Sequence, residues 1–247
     1  MNSTSKTALI TGSGKNIGRG IAIGLAQEGF NIVVNGVANE AAVQKTVSDI
    51  KSLGVEAIGV MADIGDPGGL SGLIKDAMDT FGGVDVLVNN AAIRPSAGFI
   101  EMSDEDWMRV MNVNFGSVHG LSKAFLPGMV QLCYGRIINF TGMHAMRGYV
   151  GRAHVSTSKH AVWGLTKSLG REFAAQGVTA NVISPGPING DYEDARTLDG
   201  IKATVAQVPA NRMGEPSEIA ALVKLLVSDE GGYINAQLLQ INGGAQT

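Results

Sequence analysis

The 247-residue chain is 45% hydrophobic and carries a formal net charge of −3, enough apolar material for a full α/β core and no polybasic surface for nucleic acid. No run approaches the ~20 apolar residues of a membrane span, and the single cysteine, Cys133, excludes an internal disulfide. Met1 to Lys6 is short and polar rather than a secretory leader, so a cytoplasmic protein is expected.

Apolar runs and helical stripes then alternate. Thr7–Ile10 reads as a buried strand, and Ile17–Gln27 as a helix with apolar Ile17, Ile21 and Leu25. Asn31–Val34 is a second strand and Glu40–Leu53 a second helix. Ala57–Met61 is a third strand, followed by a helix over Pro67–Phe81 with proline at its start. Val84–Val88 is a fourth strand. Ser103, ahead of three acidic residues, predicts the N-cap of one long helix reaching Gln131. Arg136–Phe140 is a fifth strand, Val155–Gln176 a long helix, and Val178–Ile183 a sixth strand. Pro216–Ser228 closes the helices and Leu238–Ile241 the strands. Such alternation predicts a parallel sheet covered by helices on both faces, with ligands at the carboxyl ends of its strands. The whole chain, 1–247, is expected to be a single domain. Its one long irregular stretch, 189–210, is expected to act as a substrate lid.

The first strand runs into Thr11-Gly12-Ser13-Gly14-Lys15-Asn16-Ile17-Gly18. Glycines there let backbone N–H groups and a helix N-terminus approach a pyrophosphate. The ordinary G-x-G-x-x-G spacing fails at Ile17; the stretch instead resembles T-G-x-x-x-G-x-G with Asn16 at its middle glycine, and asparagine tolerates positive φ. An acid at the end of the second strand would accept from a ribose 2′-hydroxyl and repel a 2′-phosphate. Asn35-Gly36-Val37 has none, and Lys15 is placed to pair with a 2′-phosphate. NADP(H) is therefore favoured over NAD(H).

The pattern resembles the short-chain dehydrogenase/reductase family, of the glucose dehydrogenase and 3-oxoacyl-carrier-protein reductase type. It is carried by the glycine loop, by Ala62-Asp63-Ile64, Asn89-Asn90-Ala91-Ala92 and Asn112-Val113-Asn114, by Lys159, and by Pro185-Gly186-Pro187-Ile188. The resemblance implies a Rossmann-type doubly wound sheet. It places Gly12, Ser13, Lys15, Asn16, Ile17, Gly18, Asp63, Ile64, Asn90, Ala91, Lys159, Pro185, Gly186 and Ile188 against the dinucleotide. Asn114 would support a water relay to Lys159. No metal site is expected. Relatives of this kind imply a homotetramer or dimer built on the two long helices and the last strand.

Two groups that the resemblance leads one to expect are absent. The family's Ser falls at Gly142 and its Tyr at Val155. The Tyr exchanges a proton with the substrate oxygen and the Ser stabilises the charge that develops there. A family Thr near the nicotinamide falls at Gly190. These three losses around one volume suggest relaxed or redirected selection. His144 and Tyr149 are candidate substitute donors beside Asn114 and Lys159; His154 is a weaker one. Thr141, one residue before Gly142, is expected to face away if it continues a strand. Arg94 and Arg147 stand where they could receive an anionic substrate. Three readings stay open: an atypical oxidoreductase acting on a small alcohol or carbonyl compound, a scaffold recruited for non-redox chemistry such as a lyase, hydrolase or dehalogenase, and a nucleotide-binding protein without catalysis.

Overall fold

The computed structural model describes residues 5–191, 200, 203, 205, 206 and 208–246. Seven parallel strands form one sheet in the order β3-β2-β1-β4-β5-β6-β7. They are β1 (Thr7–Ile10), β2 (Asn31–Gly36), β3 (Ala57–Met61), β4 (Val86–Asn89), β5 (Gly135–Phe140), β6 (Val178–Pro185) and β7 (Leu238–Ile241). The helices are α1 (Asn16–Gln27), α2 (Glu40–Lys51), α3 (Pro67–Phe81), α4 (Asp104–Met111), α5 (Ser117–Gln131), α6 (Met143–Arg147), α7 (Ala153–Glu172) and α8 (Pro216–Val227).

Strand residues alternate between two cores, as the period-2 geometry requires. Ile10, Val34, Val88 and Ile138 pack on one face with Leu25 of α1, Val47 of α2 and Val223 of α8. Leu9, Val33, Leu87 and Ile137 pack on the other with Leu73 of α3 and Leu121 and Phe125 of α5. Both faces being covered explains why β1, β4 and β5 are buried along their whole length, Arg136 of β5 included. The strand order reverses between β1 and β4, so their carboxyl ends open a crevice at the switch point.

The structure departs from the expected elements in three places. The long helix from Ser103 is interrupted: α4 gives way to a π-helical turn over Asn112–Gly116 before α5 resumes. The wider turn lets Asn114 face inward, where its side chain brackets Ile93. The last long helix ends at Glu172, and Ala174–Gln176 forms a separate 3-10 turn closed by Gly177 at φ 78°. A short helix, α6, fills the stretch after β5 that carried no periodic pattern. Of the expected lid, 192–199, 201, 202, 204 and 207 lie outside the described residues. At its start, Asn189 N–H donates to the Gly214 carbonyl at 2.7 Å.

Candidate functional site

The glycine loop is braced from beneath. The Asn90 side chain donates to the Thr11 and Gly12 carbonyls at 2.9 and 3.1 Å, and the Thr11 hydroxyl accepts from the Asn90 and Ala91 N–H groups. Ser13 is fully buried; its hydroxyl donates to the Ile10 carbonyl and accepts from Asn35 N–H. Any ligand contact by Ser13 therefore falls to its backbone, and Asn90 serves the loop as a strut. Gly18 is packed so tightly that a Cβ would lie 2.3 Å from the Gly12 carbonyl oxygen. Asn16 adopts φ 52°, the left-handed conformation asparagine was expected to tolerate. Lys15 stands exposed at the head of α1.

Asn35 is spent inward as well. Its side chain accepts from Gly12 N–H and donates to the Val60 and Ala62 carbonyls, and it is 1% exposed. Beyond it, Gly36 and Val37 carry no charge toward the crevice. Asp63, after β3, accepts from Arg109 at 2.6 Å and from Gly65 N–H at 2.9 Å. The Arg109 hydrogen bond holds its carboxyl below the ordinary aspartate range, outweighing its partial burial. Ile64 is buried in the second core.

A cavity of about 500 Å³ opens beside this loop. Its lining includes Ile17, Pro185, Gly186 and Ile188, together with Gly142, Val155 and Lys159 and with Arg94, His144, Tyr149 and Arg152. The sequence candidates Lys159, His144 and Tyr149 are thus brought together around Gly142 and Val155. Asn114 stands behind the wall. Its amide accepts from Ile93 N–H at 2.9 Å, donates to the Ile93 carbonyl at 3.0 Å, and donates to Ser158 Oγ at 3.2 Å.

Lys159 Nζ donates to the Phe140 carbonyl at 2.8 Å. Burial, with the Arg94 guanidinium adding to it, pulls the Lys159 ammonium down to about 7. The His144 and Tyr149 rings stack with centroids 5.1 Å apart, and the Arg152 guanidinium lies 4.5 Å from the Tyr149 ring centre. Burial, then Arg147 and Arg152, hold the His144 pKa below the ordinary imidazole value. That shift favours the neutral imidazole. Gly142 leaves open space: a Cβ there would meet nothing within 4 Å.

Two expectations need correction. Arg147 does not line the cavity; it donates to the Ala245 carbonyl at 2.8 Å, and Arg152 supplies the second arginine instead. His154 is fully buried outside the cavity wall. It stacks on Trp107 at 6.4 Å, and its Nδ1 accepts from Val155 N–H. Thr141 lies just beyond the end of β5 at Phe140, so the condition for its facing away is not met, and it is among the residues that line the cavity. Arg152 escaped the sequence reading, although it lies only three residues before Val155 in a glycine-flanked loop already holding two other candidates.

Comparison with known proteins agrees with this architecture. A family model described as enoyl-(acyl carrier protein) reductase matches residues 12–246. The chain is 40% identical over 244 residues to the 3-oxoacyl-(acyl-carrier-protein) reductase FabG of Vibrio cholerae, covering 99% of this chain and 98% of that protein. It is 38% identical to the protein of that name from Escherichia coli over 244 residues, with the same coverage. It is 36% identical over 240 residues to that of Staphylococcus epidermidis, covering 97% and 98%. With the doubly wound parallel sheet, the glycine loop at its switch point and this match along nearly its whole length, the chain belongs to the short-chain dehydrogenase/reductase family of oxidoreductases.

Proposed function

We propose that the chain is an NADP(H)-dependent oxidoreductase for a small alcohol or carbonyl compound, in which Lys159 takes over proton exchange from the family's tyrosine. The glycine loop supports a bound dinucleotide. The close approach at Gly18 and the inward-locked Ser13 and Asn35 leave backbone facing the crevice, as a pyrophosphate cradle requires. On this reading the backbone of Gly12–Gly18 and the start of α1 hold the pyrophosphate, with Lys15 toward a 2′-phosphate. Asp63 and Ile64 flank the adenine, Asn90 and Ala91 the nicotinamide ribose, and Pro185, Gly186 and Ile188 the nicotinamide. Bound there, the cofactor supplies or accepts a hydride at the substrate carbon.

The oxygen left behind by reduction needs one proton. The observation that carries the proposal is Lys159: buried, lining the cavity together with Gly142 and Val155, with a proton affinity near neutrality. A group with pKa near the working pH is the most effective proton donor. Lys159 Nζ gives the proton and regains one from solvent through the open cavity. Asn114 holds Ser158 and the Ile93 segment, and through them the α7 face that carries Lys159. His144 and Tyr149 shape the cavity around the substrate. The whole chain acts as one domain, in the cytoplasm, as a homodimer or homotetramer.

The test is a carbonyl-reduction screen with NADPH and NADH, read against pH. Reduction falling with an apparent pKa near 7, and lost in Lys159→Met, is expected. Activity insensitive to Lys159→Met removes the lysine from the chemistry, and failure of both dinucleotides to bind at millimolar levels removes the oxidoreductase reading. Gly142 and Val155 offer no hydroxyl, which favours, as second reading, a nucleotide-binding protein without turnover; it predicts tight NADPH binding with no product from any substrate.

A further inference from the structure

We propose that the cavity takes an anionic substrate, a small compound bearing a carboxylate, and that Arg152, seconded by Arg94, is what selects it. This rests on the reading that the cavity is the substrate site. The two arginines come from segments far apart in sequence, the loop after β4 and the turn before α7. Those segments are stitched together: Ala97 N–H donates to the Gly151 carbonyl at 2.9 Å, and Ser96 Oγ donates to the same oxygen. Gly151 turns there at φ 69°, where an added Cβ would lie 3.0 Å from Ser96 Oγ. The stitch ties together the two segments that carry Arg94 and Arg152, both of which line the cavity.

Arg94, Arg152 and Lys159 contribute cations, and no aspartate or glutamate is found among the described residues that line the cavity. The arginines' effect reaches their neighbours: Arg94 helps to lower the proton affinity of Lys159, and Arg152 that of His144. Arg152 is aligned over the Tyr149 ring, which braces the guanidinium plane without neutralising it. A planar guanidinium so held presents a fork matched to a carboxylate. A dinucleotide's phosphates fall at the glycine loop, on the Ile17 side, so they do not account for Arg152.

The experiment compares acetoacetate with its uncharged methyl ester by calorimetric titration, with and without saturating NADPH. Acetate, oxalate and succinate extend the series. The pair of keto compounds differs in charge and one methyl group, so affinity reads the anion directly and needs no turnover. Acetoacetate is expected to bind about 10- to 100-fold more tightly than the ester. Arg152→Met should erase that preference and Arg152→Lys restore part of it, with NADPH affinity unchanged in both. Equal binding of acid and ester, no carboxylate binding at millimolar concentration, or a preference that survives Arg152→Met overturns the proposal. Because binding is the readout, an anion preference in a protein that never turns over would sink the oxidoreductase reading and leave this one standing. Turnover of neutral carbonyls alone would do the reverse.

Discussion

Asn16 and Gly190 interlock. A Cβ on Gly190 would lie 2.8 Å from the amide carbon of Asn16, and Asn16 Oδ1 accepts a 2.8 Å hydrogen bond from Asp191 N–H. Asn16 and Gly190 are therefore matched to each other in shape. The asparagine amide fills the space that a larger residue at 190 would take.

This coupling predicts non-additive mutants. Gly190→Thr alone forces the Asn16 amide aside and sacrifices its bond to Asp191, at a cost of about 1 kcal/mol. Gly190→Thr combined with Asn16→Gly removes the clash, so the pair is expected to be more stable than the sum of the single variants by ~0.5–3 kcal/mol. Urea denaturation of the four proteins in the cycle measures the difference.

Refitting the two family hydroxyls is expected to raise reduction. Gly142→Ser meets no obstruction, since nothing lies within 4 Å of its added Cβ. Val155→Tyr extends from a residue that already lines the cavity, one turn of α7 before Lys159. A positioned general acid contributes ~10²–10⁴ in rate. NADPH-dependent carbonyl reduction by Gly142→Ser/Val155→Tyr should exceed that of the parent by a factor in this range, with each single variant falling short. An unchanged rate means the substrate does not sit over these two positions.

The sheet was legible because parallel strands buried on both faces leave short apolar runs with helical stripes between them, and β2, β3, β5 and β7 fall within a residue or two of their expected bounds. The π-turn at Asn112–Gly116 was not legible. A single extra residue per turn leaves the apolar spacing on either side intact, and its cause, the bracket between Asn114 and Ile93, joins residues 21 apart. The cavity was legible as a set of residues and not as a charge distribution. Arg147 and Arg152 flank the same loop, and only the folded chain decides that Arg147 turns to the Ala245 carbonyl while Arg152 turns to Tyr149.

The sheet edge at β7 bears on assembly. Leu238 and Leu239 are only partly buried, and among the described residues β7 pairs with β6 alone. An edge strand with apolar side chains is normally covered. Light scattering is expected to return a dimer or tetramer, and a clean monomer would contradict it. A charge placed by Leu239→Glu should shift the distribution toward smaller species.

Lys159 predicts the pH dependence of stability. Its folded-state pKa of about 7 lies below the model-peptide value of 10.5, so between these limits the unfolded chain binds more protons than the folded one. Stability therefore rises with pH across that interval, by at most about 1.4 kcal/mol per unit from this group, and is lowest below about pH 7. Urea midpoints measured from pH 7 to 9 should increase for the parent protein. They should stay flatter for Lys159→Met, which is expected to be the more stable of the two at pH 7. Parallel curves would mean that the ammonium is as well solvated in the fold as out of it.

Asn114 is expected to matter to the fold before it matters to the reaction. It is fully buried and satisfies both backbone groups of Ile93 as well as Ser158 Oγ. Asn114→Ala leaves those partners without it inside the π-turn, and unmade buried hydrogen bonds cost ~1–3 kcal/mol each. Asn114→Asp keeps an acceptor for Ile93 N–H but loses both donors and buries a carboxyl. Both variants are expected to unfold at lower urea concentration than the parent. If Asn114 also positioned Lys159, the apparent pKa of the reduction profile would move in Asn114→Asp. A profile unchanged in pKa, with only stability reduced, would confine Asn114 to holding the Ile93 segment in place.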